Sequence, residues 1–190
     1  MHDIPKKLFS KLRLRSRADI QAKRHFVLGA QLLSQARSST SRSSAVSLAK
    51  QAEAQADKAI SLDPLDAAAH ILKALALDIL GFKSSALDSL DAALSPRVAK
   101  SLSEKEKGDA LFKRAELKLA ISRRGRVDPA IEDLTQAVKL SKDNVKAFCL
   151  LGECYEAKKM KEEAINAYQE ALQIEPESTV ARAALDRLSK

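Results

Sequence analysis

From Val145 to Ser178 apolar positions recur with a helical period on both sides of a short polar break. V-K-A-F-C-L-L-G-E-C-Y-E-A precedes it, and K-E-E-A-I-N-A-Y-Q-E-A-L-Q-I follows. Phe148, Leu151 and Tyr155 share one face of the first run, and Ala164, Tyr168 and Ala171 one face of the second, so the pattern predicts two amphipathic helices. Glu175-Pro176 predicts the stop. Together with Gly152, these residues fall at the spacings of a helix–turn–helix unit of about 34 residues. One such unit cannot bury its own apolar face, which directs attention upstream for others to stack against it.

Three weaker copies lie upstream. In A-A-A-H-I-L-K-A-L-A-L-D-I-L-G-F-K-S-S-A-L-D-S-L-D-A-A-L, beginning at Ala67, Ala74, Leu77, Ala86, Leu90 and Ala93 take the same small and large positions, and Gly81 falls at the turn. Small residues are required where two helices approach closely, because a large side chain there overpacks the contact. Residues 111–144 show a clear second helix through Ala130, Leu134 and Ala137, with Pro129 tolerable in its first turn. The first helix of that copy fits two registers: strict spacing puts Leu117-Lys118 at the paired large and small sites, whereas a slide of three residues puts Ala115 at the small site and lengthens the S-R-R-G-R turn.

Leu28, Gly29, Leu32, Ala52, Ala56, Ala59 and Pro64 mark the first copy, which is about eleven residues too long. Its surplus is the Ser-rich stretch 37–44, either a mobile loop or an extension of both helices. As a loop it reads as plain polar or, with Arg37 and Arg42 flanking its serines, as regulated by phosphorylation. After Pro176, Val180, Ala184 and Leu188 share one face, predicting a polar-backed capping helix.

These residues resemble the tetratricopeptide (TPR) family. The resemblance implies an all-α fold, a right-handed α-solenoid of antiparallel helix pairs, over residues 18–190: repeats at about 22–66, 67–100, 108–144 and 145–178, then a cap at 179–190. It further implies a concave groove lined by the first helix of each repeat. Carried over position by position, the groove residues are Phe26 and Leu33; Ile71, Leu75 and Ile79; Phe112 and Leu119, with Ala115, Ser122 and Arg123 in strict register; and Lys146, Glu153 and Glu156. The family branch that grips the C-terminal carboxylate of heat-shock chaperones needs Lys, Arg and Asn at positions held here by Phe26, Ala30, Ile71, Leu75, Leu72, Glu116 and Leu150. A buried carboxylate would find no cation there, so that clamp is disfavoured. The mainly apolar groove implies a helical or extended protein segment as occupant; the alternative is that tighter helix packing buries several of its residues.

Composition adds limits. With 45% hydrophobic and 31% charged residues, the chain is not disordered throughout. Only five Gly and five Pro, and no alternating β-branched stretch, argue against strands. No apolar run reaches about 18 residues and the N-terminus lacks a secretory core, which predicts an intracellular protein, cytoplasmic or nuclear. Cys149 and Cys154, five apart on one helix, point to different faces and are expected to remain unpaired packing residues.

The net charge of +8 is concentrated in an arm. Residues 1–24 carry Lys6, Lys7, Lys11, Arg13, Arg15, Arg17, Lys23 and Arg24 against Asp3 and Asp19, and the rest of the chain is almost balanced. The arm, 1–17, fits a helix on an anionic membrane surface, a phosphate-contacting or nuclear-import tail, or a solvated extension capping the first repeat. Phe9 is its sole aromatic, so contact with nucleic acid is expected to be weak and sequence-blind. Ile4, Leu8, Phe9, Leu12 and Leu14 could also fold back into the groove.

No catalytic motif is present: there is no G-x-S-x-G, no phosphate-cradling glycine loop, and His2, His25 and His70 are too scattered for a metal site. No cofactor, metal or enzymatic activity is expected, and His70 reads as packing. The chain is expected to be a protein-interaction scaffold or adaptor. The alternative is a peripheral anchor whose basic arm holds anionic membrane or RNA while the repeats bind a client.

Overall fold

The computed structural model describes the backbone of residues 4–122 and 127–189, and side chains from Arg17 onward within them. Among the described residues there are nine α-helices and no strand. They divide into two compact units, Met1–Ser101 and Leu102–Lys190. The first holds α1 (Ile4–Ser38), α2 (Arg42–Leu62), α3 (Ala67–Leu80), α4 (Lys83–Ala93) and a short 3₁₀ turn, Ala99–Ser101. The second holds α5 (Glu104–Ile121), α6 (Val127–Leu140), α7 (Val145–Ala157), α8 (Lys161–Ile174) and α9 (Thr179–Leu188).

Local chemistry sets the helix starts. Ser41 accepts from the Ser44 amide, Asp66 from Ala68 and Asn144 from Ala147, each satisfying an orphan donor of the first turn. Ser103 and Glu106 form a reciprocal capping box at the start of α5. The stops follow the sequence: Asp63 and Glu175, each before a proline, are the C-caps of α2 and α8.

In each unit consecutive helices pack side by side through short connections, giving antiparallel pairs; α1 also touches α3. The contacts are made by small residues. Ala52, Ala56, Ala86, Ala93, Ala130, Ala137, Ala164 and Ala171 are all fully buried. Gly152 shows why: a Cβ built there would lie 2.6 Å from Tyr168 Cζ, and Tyr168 is itself only 1% exposed.

The register of the third helix pair is decided by burial. Ala115 is fully buried in one cluster with Ala130 and Leu134, while the Lys118 side chain reaches Asp133. Ala115 therefore belongs to the contact between α5 and α6 and not to a groove, as strict spacing had it. Ser122 ends α5 and is exposed; Arg123 lies outside the described residues.

The Ser-rich stretch adds helix to both sides of a three-residue tip, Ser39–Ser41. Ser41 serves there as the N-cap of α2, the local role for which serine is favoured. At the other end α1 runs without a break from Ile4, so the backbone of the basic arm is continuous with the first repeat helix. A continuous helix has no hinge by which residues 4–16 could fold back on the same molecule. The side chains of Lys6, Lys7, Lys11, Arg13 and Arg15 lie outside the described residues; Arg17 is exposed.

Candidate functional site

In each unit the first helices of the pairs carry half-buried apolar residues. In the first unit these helices are α1 and α3. Phe26, Ala30, Leu75 and Ile79 are half-buried, packed over a core of Leu33, Ala52, Ala56, Leu72 and Ala76. Ile71 is half-buried on the same helix as Leu75 and Ile79. Leu33 departs from the expectation: at 5% exposure it belongs to the core and has little surface to offer a ligand. It packs in one cluster with Ala52 and Ala56 of α2 and Leu72 and Ala76 of α3, which cover it.

In the second unit the first helices are α5 and α7. Phe112, Leu119 and Leu150 are half-buried against the core that contains Ala115, Leu134 and Leu151. Lys146 and Glu153 are exposed on α7. Leu119, Val127, Leu150, Cys154 and Ala157 wall a cavity of about 230 Å³ with Glu153 and Glu156 at its edge.

Glu156, a groove residue by resemblance, is engaged within its own unit. Arg187 of α9 holds its two oxygens at 2.6 and 2.9 Å, and the Tyr168 hydroxyl donates to Oε1 at 2.7 Å. Arg187 keeps the Glu156 carboxyl below the ordinary carboxylate range against the opposing effect of burial, and Tyr168 adds a lesser lowering. The Tyr168 phenol moves strongly the other way, first from burial and then from Glu156, and stays protonated. Burial likewise raises the Cys149 thiol, and both cysteines are buried and outside any disulfide.

Two features carried weaker sequence signals. Asp133 is 3% exposed; Arg114 donates to it through Nε at 2.9 Å and Nη2 at 2.6 Å, and Lys118 lies at 2.7 Å. The signal was an acid on the apolar stripe of α6, between Ala130 and Ala137. The other is a set of exposed apolar residues on α1: Ile20 at 52%, Val27 at 52% and Leu28 at 44%. Leu28 occupies a packing position of the repeat pattern, yet α1 packs on α2 and α3 through its other face and leaves this one open. His70 is half-buried, its Nε2 hydrogen-bonded to the Pro64 carbonyl at 3.1 Å. Among the described residues no group of three or more His, Cys, Asp or Glu is placed to hold a metal ion, and no helix is long and apolar enough to cross a membrane.

The sequence pattern described as "Tetratricopeptide repeat" matches residues 145–178, the pair formed by α7 and α8. Residues 145–178 carry a tetratricopeptide repeat.

No curated protein matches its sequence significantly. Solved structures do match in fold. MamA 41-end from Desulfovibrio magneticus RS-1 is 19% identical with a TM-score of 0.69, over 89% of this chain and 84% of that one. PilF of Pseudomonas aeruginosa is 18% identical with a TM-score of 0.68, over 90% and 68%. YrrB, described as a TPR protein with an unusual peptide-binding site, is 21% identical with a TM-score of 0.63, over 76% and 70%. At these identities the likeness is one of fold, and it gives the chain the all-α, helix-pair solenoid class. A fold of this kind supports a protein-interaction scaffold in general.

Proposed function

We propose that this protein is an adaptor whose first-helix surfaces bind a segment of another protein. The observation that carries the reading is the half-buried apolar row Phe26, Leu75 and Ile79, with Ile71 beside it, spread over α1 and α3 of one unit. Such residues already have one side packed on the core, so an incoming helix or strand covers the remainder without having to order them. Phe112, Leu119, Lys146 and Glu153 extend the same kind of surface in the second unit, with charge at its α7 side. The peptide-binding site named for YrrB supports the choice of a peptide-like occupant.

A second reading rests on α1. Ile20, Val27 and Leu28 are exposed beside Arg17, Lys23 and Arg24, and Lys6, Lys7, Lys11, Arg13 and Arg15 precede them on the same helix, a combination suited to an anionic membrane surface. One experiment separates the two. The wild-type chain, the groove variants Ile71→Glu, Leu75→Glu and Ile79→Glu, and a form lacking residues 1–17 are used to capture partners identified by mass spectrometry, and each is also sedimented with vesicles containing phosphatidylserine. The adaptor reading expects the groove variants to lose a partner that the arm-deleted form keeps; capture unchanged by all three groove charges would overturn it. Vesicle binding that is lost on arm deletion and at raised salt supports the second reading, and its absence in the wild type removes it.

A further inference from the structure

The cavity of the second unit has a chemistry of its own. At about 230 Å³ it is smaller than the sites that take drug-sized molecules, which begin near 300 Å³, and it suits a single side chain. Leu119, Val127, Leu150 and Ala157 give it apolar walls, and its edge carries two carboxylates.

The two acids are not equivalent. Glu156 is engaged by Arg187 and Tyr168. Glu153 is exposed and makes no ion pair or hydrogen bond among the described residues. The neighbouring lysines are occupied elsewhere, Lys118 with Asp133 and Lys158 with Asp128, each at 2.7 Å. Lys146 lies two turns back along α7, roughly 10 Å from Glu153 by helical rise. A free carboxylate at the lip of an apolar slot complements a side chain with an aliphatic stem and a cationic head.

We infer that this slot receives a lysine or arginine from the bound protein segment, its stem against Leu119, Val127 and Leu150 and its head paired with Glu153. The inference rests on the adaptor reading and adds the chemistry of one recognised residue. An apolar side chain would fill the slot but would partly desolvate Glu153 without pairing it, and an acidic one would be repelled. The slot therefore selects by charge as well as by fit.

The test uses the full chain and three fluorescent ten-residue peptides of alanine and leucine that differ at one central position: arginine, its uncharged near-isostere citrulline, or glutamate. Binding is followed by anisotropy at low salt. The arginine peptide is expected to bind at least about fivefold tighter than the citrulline peptide, a difference of about 1 kcal/mol. That preference should vanish in Glu153→Gln, whereas Leu119→Ser should weaken both peptides; circular dichroism checks that both variants are folded. Equal binding of the arginine and citrulline peptides, no binding of either, or a preference that survives Glu153→Gln overturns the inference. None of these results touches the adaptor reading, which is tested through Ile71, Leu75 and Ile79 of the other unit.

Discussion

The Tyr168 hydroxyl donates to Glu156 Oε1 at 2.7 Å, joining the ring that covers Gly152 to the carboxylate that holds α9. One side chain thus serves two contacts. Its ring closes the interface of α7 with α8, and its hydroxyl orients Glu156 towards Arg187.

Tyr168→Phe keeps the ring and removes the donor, so a loss of about 1.5 kcal/mol is expected from urea unfolding at neutral pH. The pH dependence follows from Glu156. Its folded pKa lies below the unfolded value, near 4.3, because Arg187 and then Tyr168 bind the charged form. The stabilisation is therefore complete above the unfolded value and is lost as pH falls through the folded one. The wild type should exceed Glu156→Gln in stability at neutral pH, and the gap should close as pH falls below the ordinary carboxylate range. A gap of constant size across that range would show that the ionised latch contributes nothing.

Asp133 anchors Arg114 and Lys118 from a nearly fully buried position. Removing it takes away the carboxylate that Arg114 grips in a two-point fork and that Lys118 also pairs with. Asp133→Ala should cost about 3 kcal/mol, within the range for breaking buried pairs, and chemical denaturation measures it. A cost under about 1 kcal/mol would place Asp133 with ordinary surface pairs.

Gly81, the first residue after α3, and Lys159, the second after α7, both have positive φ, 85° and 61°. An L side chain with a Cβ is strained in that region by roughly 1–2 kcal/mol. Gly81→Ala should destabilise by about 1 kcal/mol, although nothing lies within 4 Å of the added Cβ. Lys159→Gly should stabilise by about 0.5 kcal/mol, the relief of strain being offset in part by the greater freedom of glycine in the unfolded chain. Thermal melts of the two variants should therefore shift in opposite directions, and a shared direction would contradict the backbone argument.

Much of the helix layout was legible because it is local. The pattern from Val145 to Ser178 gives α7 and α8, and Gly81 marks its turn because only a residue without a Cβ enters that backbone region freely. The first helix of the third pair was not legible. In a long helix rich in Ala and Leu, two registers satisfy the period, and contact with Ala130 and Leu134 is needed to choose Ala115. Leu33 misled for a related reason, since its family position faces a groove while contact with Ala52, Ala56, Leu72 and Ala76 buries it here.

The sequence by itself determined the helical class, the pairing of helices through small residues and the places where they stop, since period, side-chain size and capping act over a few residues. Tertiary structure alone decided which side chains are available. Glu153 and Glu156 are both acids, three residues apart on one helix, yet one is free at the edge of an apolar slot and the other is locked to Arg187. Their difference comes from α8 and α9: Tyr168 and Arg187 reach one carboxylate and not the other, and no local pattern records which neighbour a side chain will meet.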